Sequence, residues 1–239
     1  MKQRQTKLAV FDIDGTIFRS SLVIALTQEL VAEKIFPSSA AKDIAKDYLA
    51  WVNRKGTYEA YIDRVVKIYL KHIQGKSFKQ VKNIAKKVIK YHKDRVYRYT
   101  RDLIKKLKKQ NYFLLAISGS PSLIVEEYAR TIGFNKFFGT EIEVIDGKFT
   151  ANLNAKSAYH KSEIVKQLAK DLNLDLKKSI AIGDTEGDIQ MLSLVGKPIA
   201  FNPNARLAKV AKKQNWEIVV ERKDVIFKIN KLEFLHYED

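Results

Sequence analysis

The 239-residue chain contains no cysteine. This absence excludes disulfide bonds and thiolate metal sites, and it suits a reducing compartment. The chain also lacks any run near the roughly 18–20 apolar residues that cross a bilayer. Its basic N-terminus is followed by only a short apolar stretch, whereas a signal peptide needs a core of about 7–15 apolar residues. We therefore expect a cytoplasmic protein without a membrane span.

An acidic excess is absent as well. The sequence has 44 lysine and arginine residues against 27 aspartate and glutamate residues, a net charge of +17. The surplus is uneven, because residues 19–100 hold 18 basic and 7 acidic residues. Such a field attracts anions, which include nucleic acid, anionic lipid and phosphorylated metabolites.

Short apolar stretches alternate with helical patterns over most of the chain. This alternation predicts a parallel sheet covered on both faces by helices, a doubly wound, Rossmann-like α/β fold. A further stretch, 141–153, alternates around Asp146-Gly147 as in a β-hairpin. The predicted strands are KLAVF (7–11), FLLAI (113–117), SIAIG (179–183), PIAF (198–201) and WEIVV (216–220).

The first of these strands is followed by about 80 residues with almost no strand signal. Apolar residues recur there at helical spacing, as in Leu22, Leu26 and Leu30. The simplest interpretation is an all-helical domain inserted into the α/β core. We expect the core to comprise residues 1–18 and 101–239 and the inserted helical domain to comprise 19–100.

Polar residues follow three of the predicted strands. Asp12 and Asp14 follow the first, Ser118 follows the second, and Asp184 and Asp188 follow the third. A single aspartate at such a place is usually a turn or helix-capping residue. Because ligands bind beyond the carboxyl ends of parallel strands, the conjunction instead predicts one shared site. Carboxylates without histidine or cysteine ligands favour Mg²⁺, which also relieves their mutual repulsion.

The motifs DIDGT (12–16), SGS (118–120) and GDTEGD (183–188), with a lysine between the last two, resemble those of haloacid-dehalogenase-type phosphohydrolases. The long helical insert resembles the cap of that superfamily, and residues 197–219 are similar to the tail of the subgroup that includes phosphoserine phosphatases. The resemblance covers residues 7–20 and about 101–220. It implies a Mg²⁺-dependent phosphatase that acts on a small phosphorylated metabolite through an aspartyl-phosphate.

The resemblance also implies residue roles. Asp12 would be the nucleophile and Asp14 the general acid and base. The metal would be held by the side chains of Asp12 and Asp184 and the backbone carbonyl of Asp14. Asp188 would support that site or bind the metal directly.

Phosphate binding is implied for a second group of residues. Ser118 and the backbone N–H groups of Gly119 and of Gly15 or Thr16 would bind phosphate oxygens. Lys161, 23 residues before Asp184, would neutralise the transferring phosphoryl group, with Lys156 as the alternative.

Two positions depart from the phosphoserine phosphatase pattern. Ser21 stands nine residues after Asp12, where a glutamate that binds the substrate ammonium is usual, and Gly187 replaces a frequent asparagine. A hydroxyl cannot pair with an ammonium as a carboxylate does, which argues against phosphoserine. The basic segment 19–100 favours a substrate with more negative charge than a zwitterion.

Several other features receive a structural interpretation. The four histidines share no metal-ligand spacing and are assigned no catalytic role; they are His72, His92, His160 and His236. The lysines between Lys79 and Lys93 are expected on a solvated helix face, with steering of an anionic partner as the alternative. The aromatic residues of the helical segment, for example Trp51, Tyr58, Tyr61 and Tyr69, are expected in its core.

Other functions stay open at this point. The same site would serve phosphoryl transfer to another acceptor, or hydrolysis of a lipid or protein phosphate. A basic, non-catalytic module that binds anions or nucleic acid is the alternative from another class. That alternative requires a broken catalytic set, whereas this one is complete, so we do not expect a nucleic-acid partner. The sequence leaves the oligomeric state and the position of the cap open.

Overall fold

The computed structural model of the protein describes residues 6–153 and 160–229. A seven-stranded sheet has the order β3-β2-β1-β6-β7-β8-β9 and is parallel except for β9, and β4 and β5 form a separate hairpin. The strands are Leu8–Asp12 (β1), Phe113–Pro121 (β2), Lys136–Thr140 (β3), Ile142–Ile145 (β4), Lys148–Leu153 (β5), Ile180–Gly183 (β6), Lys197–Phe201 (β7), Glu217–Arg222 (β8) and Val225–Lys228 (β9).

Helices cover both faces of the sheet. Two short 3₁₀ turns, Leu176–Lys178 and Glu186–Asp188, flank β6. The α-helices are Leu22–Ala32 (α1), Ser38–Val52 (α2), Tyr58–Ile73 (α3), Phe78–His92 (α4), Arg98–Lys109 (α5), Ser122–Ile132 (α6), Lys161–Asp171 (α7), Ile189–Leu192 (α8) and Ala205–Lys213 (α9). The predicted doubly wound α/β architecture is therefore confirmed.

Strand β1 lies at the centre of the sheet, and all five of its residues are buried. Its side chains alternate between the two faces, as the two-residue period of a strand requires. Ala9 and Phe11 pack in the core shared with α1, α4 and α6, whereas Leu8 and Val10 pack in the core shared with α7 and α9. β1 pairs in parallel with β2 and β6, so Asp12 at its end lies at the carboxyl edge of the sheet.

The segment between β1 and β2 contains only α-helices as regular elements, as its sequence predicts. Buried residues of α1, α3 and α4 belong to the same hydrophobic cluster as one face of the sheet. The helical segment therefore packs directly on the sheet through a continuous core. The division into a core of 1–18 and 101–239 and a cap of 19–100 stays a prediction.

The hairpin β4–β5 lies against the helical segment. Its turn residues Asp146 and Gly147 both have positive φ, at 49° and 73°, as a two-residue hairpin turn requires. The N–H of Gly75 donates to the carbonyl of Phe149 at 2.7 Å, and the N–H of Phe78 donates to the carbonyl of Gly147 at 2.9 Å. These backbone hydrogen bonds join the turn between α3 and α4 to the hairpin, which comes directly after β3 in the chain.

Candidate active site

The structure brings the predicted acidic residues and Lys161 to the carboxyl edge of the sheet. Asp12 ends β1, Asp184 follows β6, and Lys161 begins α7. Ser118 lies inside β2, because that strand continues to Pro121 and does not end at Ile117. Lys156, the alternative to Lys161, lies outside the described residues.

Asp12 is a buried carboxyl group whose pKa is strongly perturbed. Its side chain is buried, and its Oδ1 accepts a hydrogen bond from Lys161 Nζ at 2.6 Å. Its Oδ2 has no hydrogen-bond partner among the described residues. Burial raises the pKa of Asp12 to about 7, with the neighbouring charges of Asp188 and Asp14 adding to the rise and Lys161 opposing it.

Lys161 lies between two carboxylates. Its Nζ donates to Asp12 Oδ1 at 2.6 Å and to Asp188 Oδ1 at 2.7 Å. Burial alone would lower the pKa of Lys161, but the charges of Asp12 and Asp188 outweigh it and raise that pKa above its usual value. The ammonium group is thus held charged beside the carboxyl group of Asp12.

Asp188 is fixed by the backbone that follows β6. Its Oδ2 accepts hydrogen bonds from the N–H groups of Asp184 at 3.0 Å and Thr185 at 3.1 Å. Its other oxygen binds Lys161, so the fully buried carboxylate is satisfied on both sides. Burial, together with the charges of Asp12 and Asp188, raises the pKa of Asp184 well above its usual value.

These carboxylates fit a divalent cation. Asp12, Asp184 and Asp188 each place one oxygen within 4.8 Å of the others. Lys161 supplies one positive charge to this group, and within 6–153 and 160–229 Asp12 Oδ2 has no hydrogen-bond partner. A hard cation with oxygen ligands would satisfy the free oxygen and relieve the repulsion that raises the pKa of Asp12 and Asp184. The three side chains can therefore bind a metal ion.

Asp14 lies apart from that trio, and its carboxylate accepts three hydrogen bonds from two elements. Oδ1 accepts from the N–H of Leu22, at the start of α1. Oδ2 accepts from the hydroxyls of Ser118 and Ser120, the latter at 2.9 Å. The side chain of Asp14 is therefore oriented by β2 and α1, and its predicted contact with the metal concerns its backbone carbonyl only.

Ser120 is a site residue that the sequence analysis missed. Its hydroxyl donates to Asp14 and accepts from the N–H of Val23 at 3.0 Å, so it links β2 to the first turn of α1. The signal was present in the sequence, because Ser118 and Ser120 are two residues apart and point to the same face of a strand. The apolar run FLLAI predicts a strand end at Ile117, whereas the strand continues to Pro121 and includes both serines.

Gly15 and Thr16 form the turn beneath Asp184. Gly15 has φ +77°, and a Cβ atom placed on it would lie 2.0 Å from Asp184 Oδ2. Thr16 Oγ1 donates to Asp184 Oδ1 at 3.3 Å. The N–H of Gly15 donates to the carbonyls of Phe18 and Ser20, both at 3.0 Å, and that of Thr16 to the carbonyl of Ile13 at 3.3 Å.

The predicted phosphate-binding role of the Gly15–Thr16 turn stays a prediction. In this conformation both N–H groups have backbone acceptors, and Gly15 lies against the carboxylate of Asp184. Gly119, the other predicted backbone donor, lines the cavity beside Asp12.

A cavity of about 270 Å³, hereafter the active-site cavity, opens onto Asp12 and Lys161. Ser21 and Gly187, the two positions that depart from the phosphoserine phosphatase pattern, also line it. Its opposite wall is the first part of α3, where Glu59 Oε1 accepts from Asn204 Nδ2 at 2.8 Å. Helix α3 is thus hydrogen-bonded across the cavity to the loop before α9.

The charge around the active-site cavity differs from that of the segment as a whole. Six acidic residues line it with one lysine; they are Asp12, Asp14, Glu59, Asp63, Asp184 and Glu186, with Lys161. Of the 18 basic residues of segment 19–100, none lines this cavity. The overall charge therefore does not by itself support the predicted preference for a strongly anionic substrate. Lys79, Lys86, Lys90 and Lys93 are exposed, as expected of a solvated helix face.

Comparison with known proteins identifies the family. The model of the haloacid dehalogenase-like hydrolases matches residues 9–193, which include every described residue that lines the active-site cavity. The chain belongs to this family. The predicted resemblance is thereby confirmed, as is the expectation of a hydrolytic enzyme.

Relatives named as phosphatases match most of this chain. The chain is 27% identical to phosphoserine phosphatase SerB1 of Mycobacterium tuberculosis over 221 residues, which cover 89% of this chain and 70% of that protein. It is 24% identical to the phosphoserine phosphatase of Methanocaldococcus jannaschii, over 93% of this chain and 96% of that one. It is also 24% identical to a histidinol-phosphatase of Neisseria meningitidis, over 89% of this chain and 97% of that one.

Solved structures share the fold. A phosphoserine phosphatase solved as a phospho-aspartyl intermediate analogue superposes with a TM-score of 0.62 at 22% identity, over 92% of this chain and 96% of that chain. A Bordetella pertussis protein of unknown function superposes with a TM-score of 0.73 at 19% identity, over 90% and 98% of the two chains. Within the described residues, no helix is long and apolar enough to cross a membrane.

Proposed function

We propose that the protein is a Mg²⁺-dependent phosphatase that hydrolyses a phosphomonoester through an aspartyl-phosphate on Asp12. The observation that carries the proposal is the pair formed by Asp12 and Lys161, buried beside two further carboxylates that can bind a metal. A carboxylate attacks phosphorus without an activating base, and the ammonium group offsets the charge of the phosphoryl group. The phosphatase names of the relatives agree with this chemistry.

The first half of the reaction transfers the phosphoryl group to the protein. An oxygen of Asp12 forms a bond to phosphorus while the bond from phosphorus to the ester oxygen breaks. Asp14 gives its proton to that leaving oxygen. Ser118 and Ser120 hold the carboxyl group of Asp14, and hydroxyls can donate or accept as its proton comes and goes.

The second half restores the enzyme. Water attacks the phosphorus of the aspartyl-phosphate, Asp14 takes the proton of that water, and Asp12 is released as a carboxylate. A Mg²⁺ ion, held by Asp12, Asp184 and the backbone carbonyl of Asp14 with support from Asp188, would offset the negative charge of the phosphoryl group. Lys161 stays bound to Asp188 and keeps its position throughout.

The relatives do not agree on one substrate. Their names include phosphoserine phosphatase and histidinol-phosphatase at similar identity. Ser21 supplies no carboxylate to an ammonium group at the position where phosphoserine phosphatases usually have one. We therefore propose hydrolysis of a small phosphorylated metabolite other than phosphoserine by a protein that works in the cytoplasm.

Release of phosphate from p-nitrophenyl phosphate tests this function. We expect turnover with Mg²⁺, none with EDTA, and restoration when Mg²⁺ is added back. D12N should abolish turnover and keep the thermal unfolding transition, whereas D43N, an exposed carboxylate on α2, should behave as the wild type. Near-normal activity of D12N, or equal activity with EDTA, would refute the proposal. Salt-dependent binding of nucleic acid without any turnover would favour the non-catalytic alternative.

A further inference from the structure

A second and larger cavity adjoins the active site. It has a volume of about 770 Å³, against about 270 Å³ for the active-site cavity. Tyr58 and Asp184 line both cavities, so the two share a boundary at a predicted metal ligand. Ligand cavities for drug-sized molecules measure about 300–1,000 Å³, a range that includes only the larger of the two. The size of the pair exceeds what a phosphorylated amino acid requires.

The part of the larger cavity between α1 and α2 is mainly apolar. Its walls include Ile24, Val31, Ile44 and Trp51, and Thr27 and Gln28 of α1 are polar residues there. Ala41 and Ala45 of α2 also line it, and both are exposed. Small side chains on α2 opposite apolar side chains on α1 leave a channel that an apolar group can fill.

One wall of the larger cavity is an aromatic cluster. Trp51 stacks on Tyr61 with ring centroids 5.8 Å apart and an interplanar angle of 7°, and it contacts Tyr58 at 5.0 Å. We expected these rings in the core, but Trp51 and Tyr58 are only half-buried, whereas Tyr61 and Tyr69 are buried. Because the rings pack on one another, the wall is ordered before a ligand arrives, which lowers the entropy cost of binding.

The near part of the larger cavity is polar and cationic. Arg19 and Arg95 line it, and they are the only basic residues of segment 19–100 that line either cavity. The backbone N–H of Arg19 donates to the carbonyl of Arg95 at 2.9 Å, which holds the two side by side. The larger cavity thus has polar groups near Asp184 and apolar groups between α1 and α2. This arrangement matches a ligand with a polar, phosphorylated end and an apolar opposite end.

We propose that the larger cavity binds the organic part of the substrate, and that this part is a large apolar group. The substrate is then an amphiphilic phosphomonoester, with its phosphoryl group at Asp12 and an apolar chain or ring system between α1 and α2. This inference rests on the proposed phosphatase function. An acyl chain and a fused ring system share the required chemistry, and the experiment below distinguishes them.

Kinetics on matched esters test the inference. Burial of one methylene group is worth about a fourfold change in kcat/KM. We therefore expect hexyl phosphate to exceed ethyl phosphate by one to two orders of magnitude in kcat/KM. 2-(1-Naphthyl)ethyl phosphate carries a ring system on a primary alcohol, so its leaving group matches those of the alkyl esters. A comparable gain for the hexyl but not the naphthylethyl ester indicates a chain, and the reverse indicates a ring system. Equal kcat/KM for the ethyl, hexyl and naphthylethyl esters would overturn the inference while leaving the phosphatase function intact.

Two tryptophan substitutions locate the effect. A45W fills the channel from α2, and A60W places the same side chain at an exposed site on α3 that lines neither cavity. The ratio of kcat/KM for hexyl over ethyl phosphate should fall at least about tenfold in A45W. The A60W protein should keep the wild-type ratio. An unchanged ratio in a folded A45W protein would contradict the inference.

Binding provides a readout that does not depend on turnover. Trp51 lines the larger cavity, and the chain has only two tryptophans, so its fluorescence reports occupation. Hexylphosphonate, which cannot be hydrolysed at its carbon–phosphorus bond, should change this signal at lower concentration than ethylphosphonate. W51F should lose the change. If no ester is hydrolysed, the phosphatase proposal fails. If the two phosphonates then also bind with equal affinity, the assignment of the larger cavity to an apolar group fails as well.

Discussion

Substitution of Gly15 by alanine tests how the DIDGT turn supports the site. The new Cβ would lie 2.0 Å from Asp184 Oδ2 and 2.9 Å from its Cγ, closer than real Cβ contacts, so the carboxylate must move. Gly15 also has φ +77°, where alanine costs about 1–2 kcal/mol. Displacing a group that orients a metal site typically costs about 10- to 100-fold in metal affinity or activity. We therefore expect the kcat/KM of G15A to fall at least about 10-fold, and its half-maximal activity to require a higher Mg²⁺ concentration than that of the wild type.

Gly75 provides a matched control for this substitution. It has nearly the same φ, +74°, but a Cβ there would meet nothing within 4 Å. G75A should therefore lose a similar 1–2 kcal/mol, about 2–8 °C in Tm, and keep wild-type kinetics. Phosphate release titrated with Mg²⁺ and thermal unfolding measure both effects. A G15A protein with the activity and Mg²⁺ dependence of G75A would refute the role of the turn in placing Asp184.

Two further substitutions test the hydrogen bonds around the nucleophile. K161M leaves two buried carboxylates without their cation, so without metal its free energy of unfolding should fall by about 3–5 kcal/mol and its turnover should be lost. Mg²⁺ should raise the Tm of K161M more than that of the wild type. K166M, on the exposed side of α7, should keep the wild-type stability and turnover. S120A removes the acceptor of the Val23 N–H and one donor to Asp14. The free energy of unfolding should therefore fall by about 1–3 kcal/mol, and kcat should fall as well. S193A, at an exposed position, should stay within about 0.5 kcal/mol of the wild-type stability. Equal Mg²⁺ shifts in K161M and wild type, or an unchanged kcat in S120A, would contradict these assignments.

Most of the sheet was predictable because its central strands are short, apolar and bounded by turns. The stretches at 7–11, 113–117, 179–183, 198–201 and 216–220 correspond to β1, β2, β6, β7 and β8 with shifts of a few residues. Two outer strands were missed. Lys136–Thr140 contains a glycine, and Val225–Lys228 is a four-residue strand with exposed side chains, so neither shows a buried-strand pattern.

The acidic part of the site was predictable for a physical reason. Parallel strands end at one edge of a sheet, so polar residues after three strands must meet there. The structure accordingly places Asp12, Asp184 and Asp188 within reach of one ion. Asp14 lines the same cavity as Asp12 and Asp184, and its side chain is hydrogen-bonded to Ser118 and Ser120 of β2.

The larger cavity was not predictable from the sequence. Helical periodicity shows which side chains of α1 and α2 are apolar, but not how far apart the two helices pack. Trp51 and Tyr58 therefore fit the pattern of core residues, although the structure leaves them half-buried on a cavity wall. The charge of segment 19–100 does not show which basic residues face the cavities. Most of its lysines are exposed, and of its basic residues only Arg19 and Arg95 line the active-site cavity or the larger cavity.

The central claim is that Asp12 carries the phosphoryl group during turnover. The most direct measurement is mass spectrometry of peptides from enzyme quenched in acid during hydrolysis of p-nitrophenyl phosphate. We predict that the peptide containing Asp12 gains the mass of one phosphoryl group, that the label maps to Asp12, and that it disappears when substrate is exhausted. A label on another residue, or active enzyme whose D12N variant turns over equally well, would contradict the account.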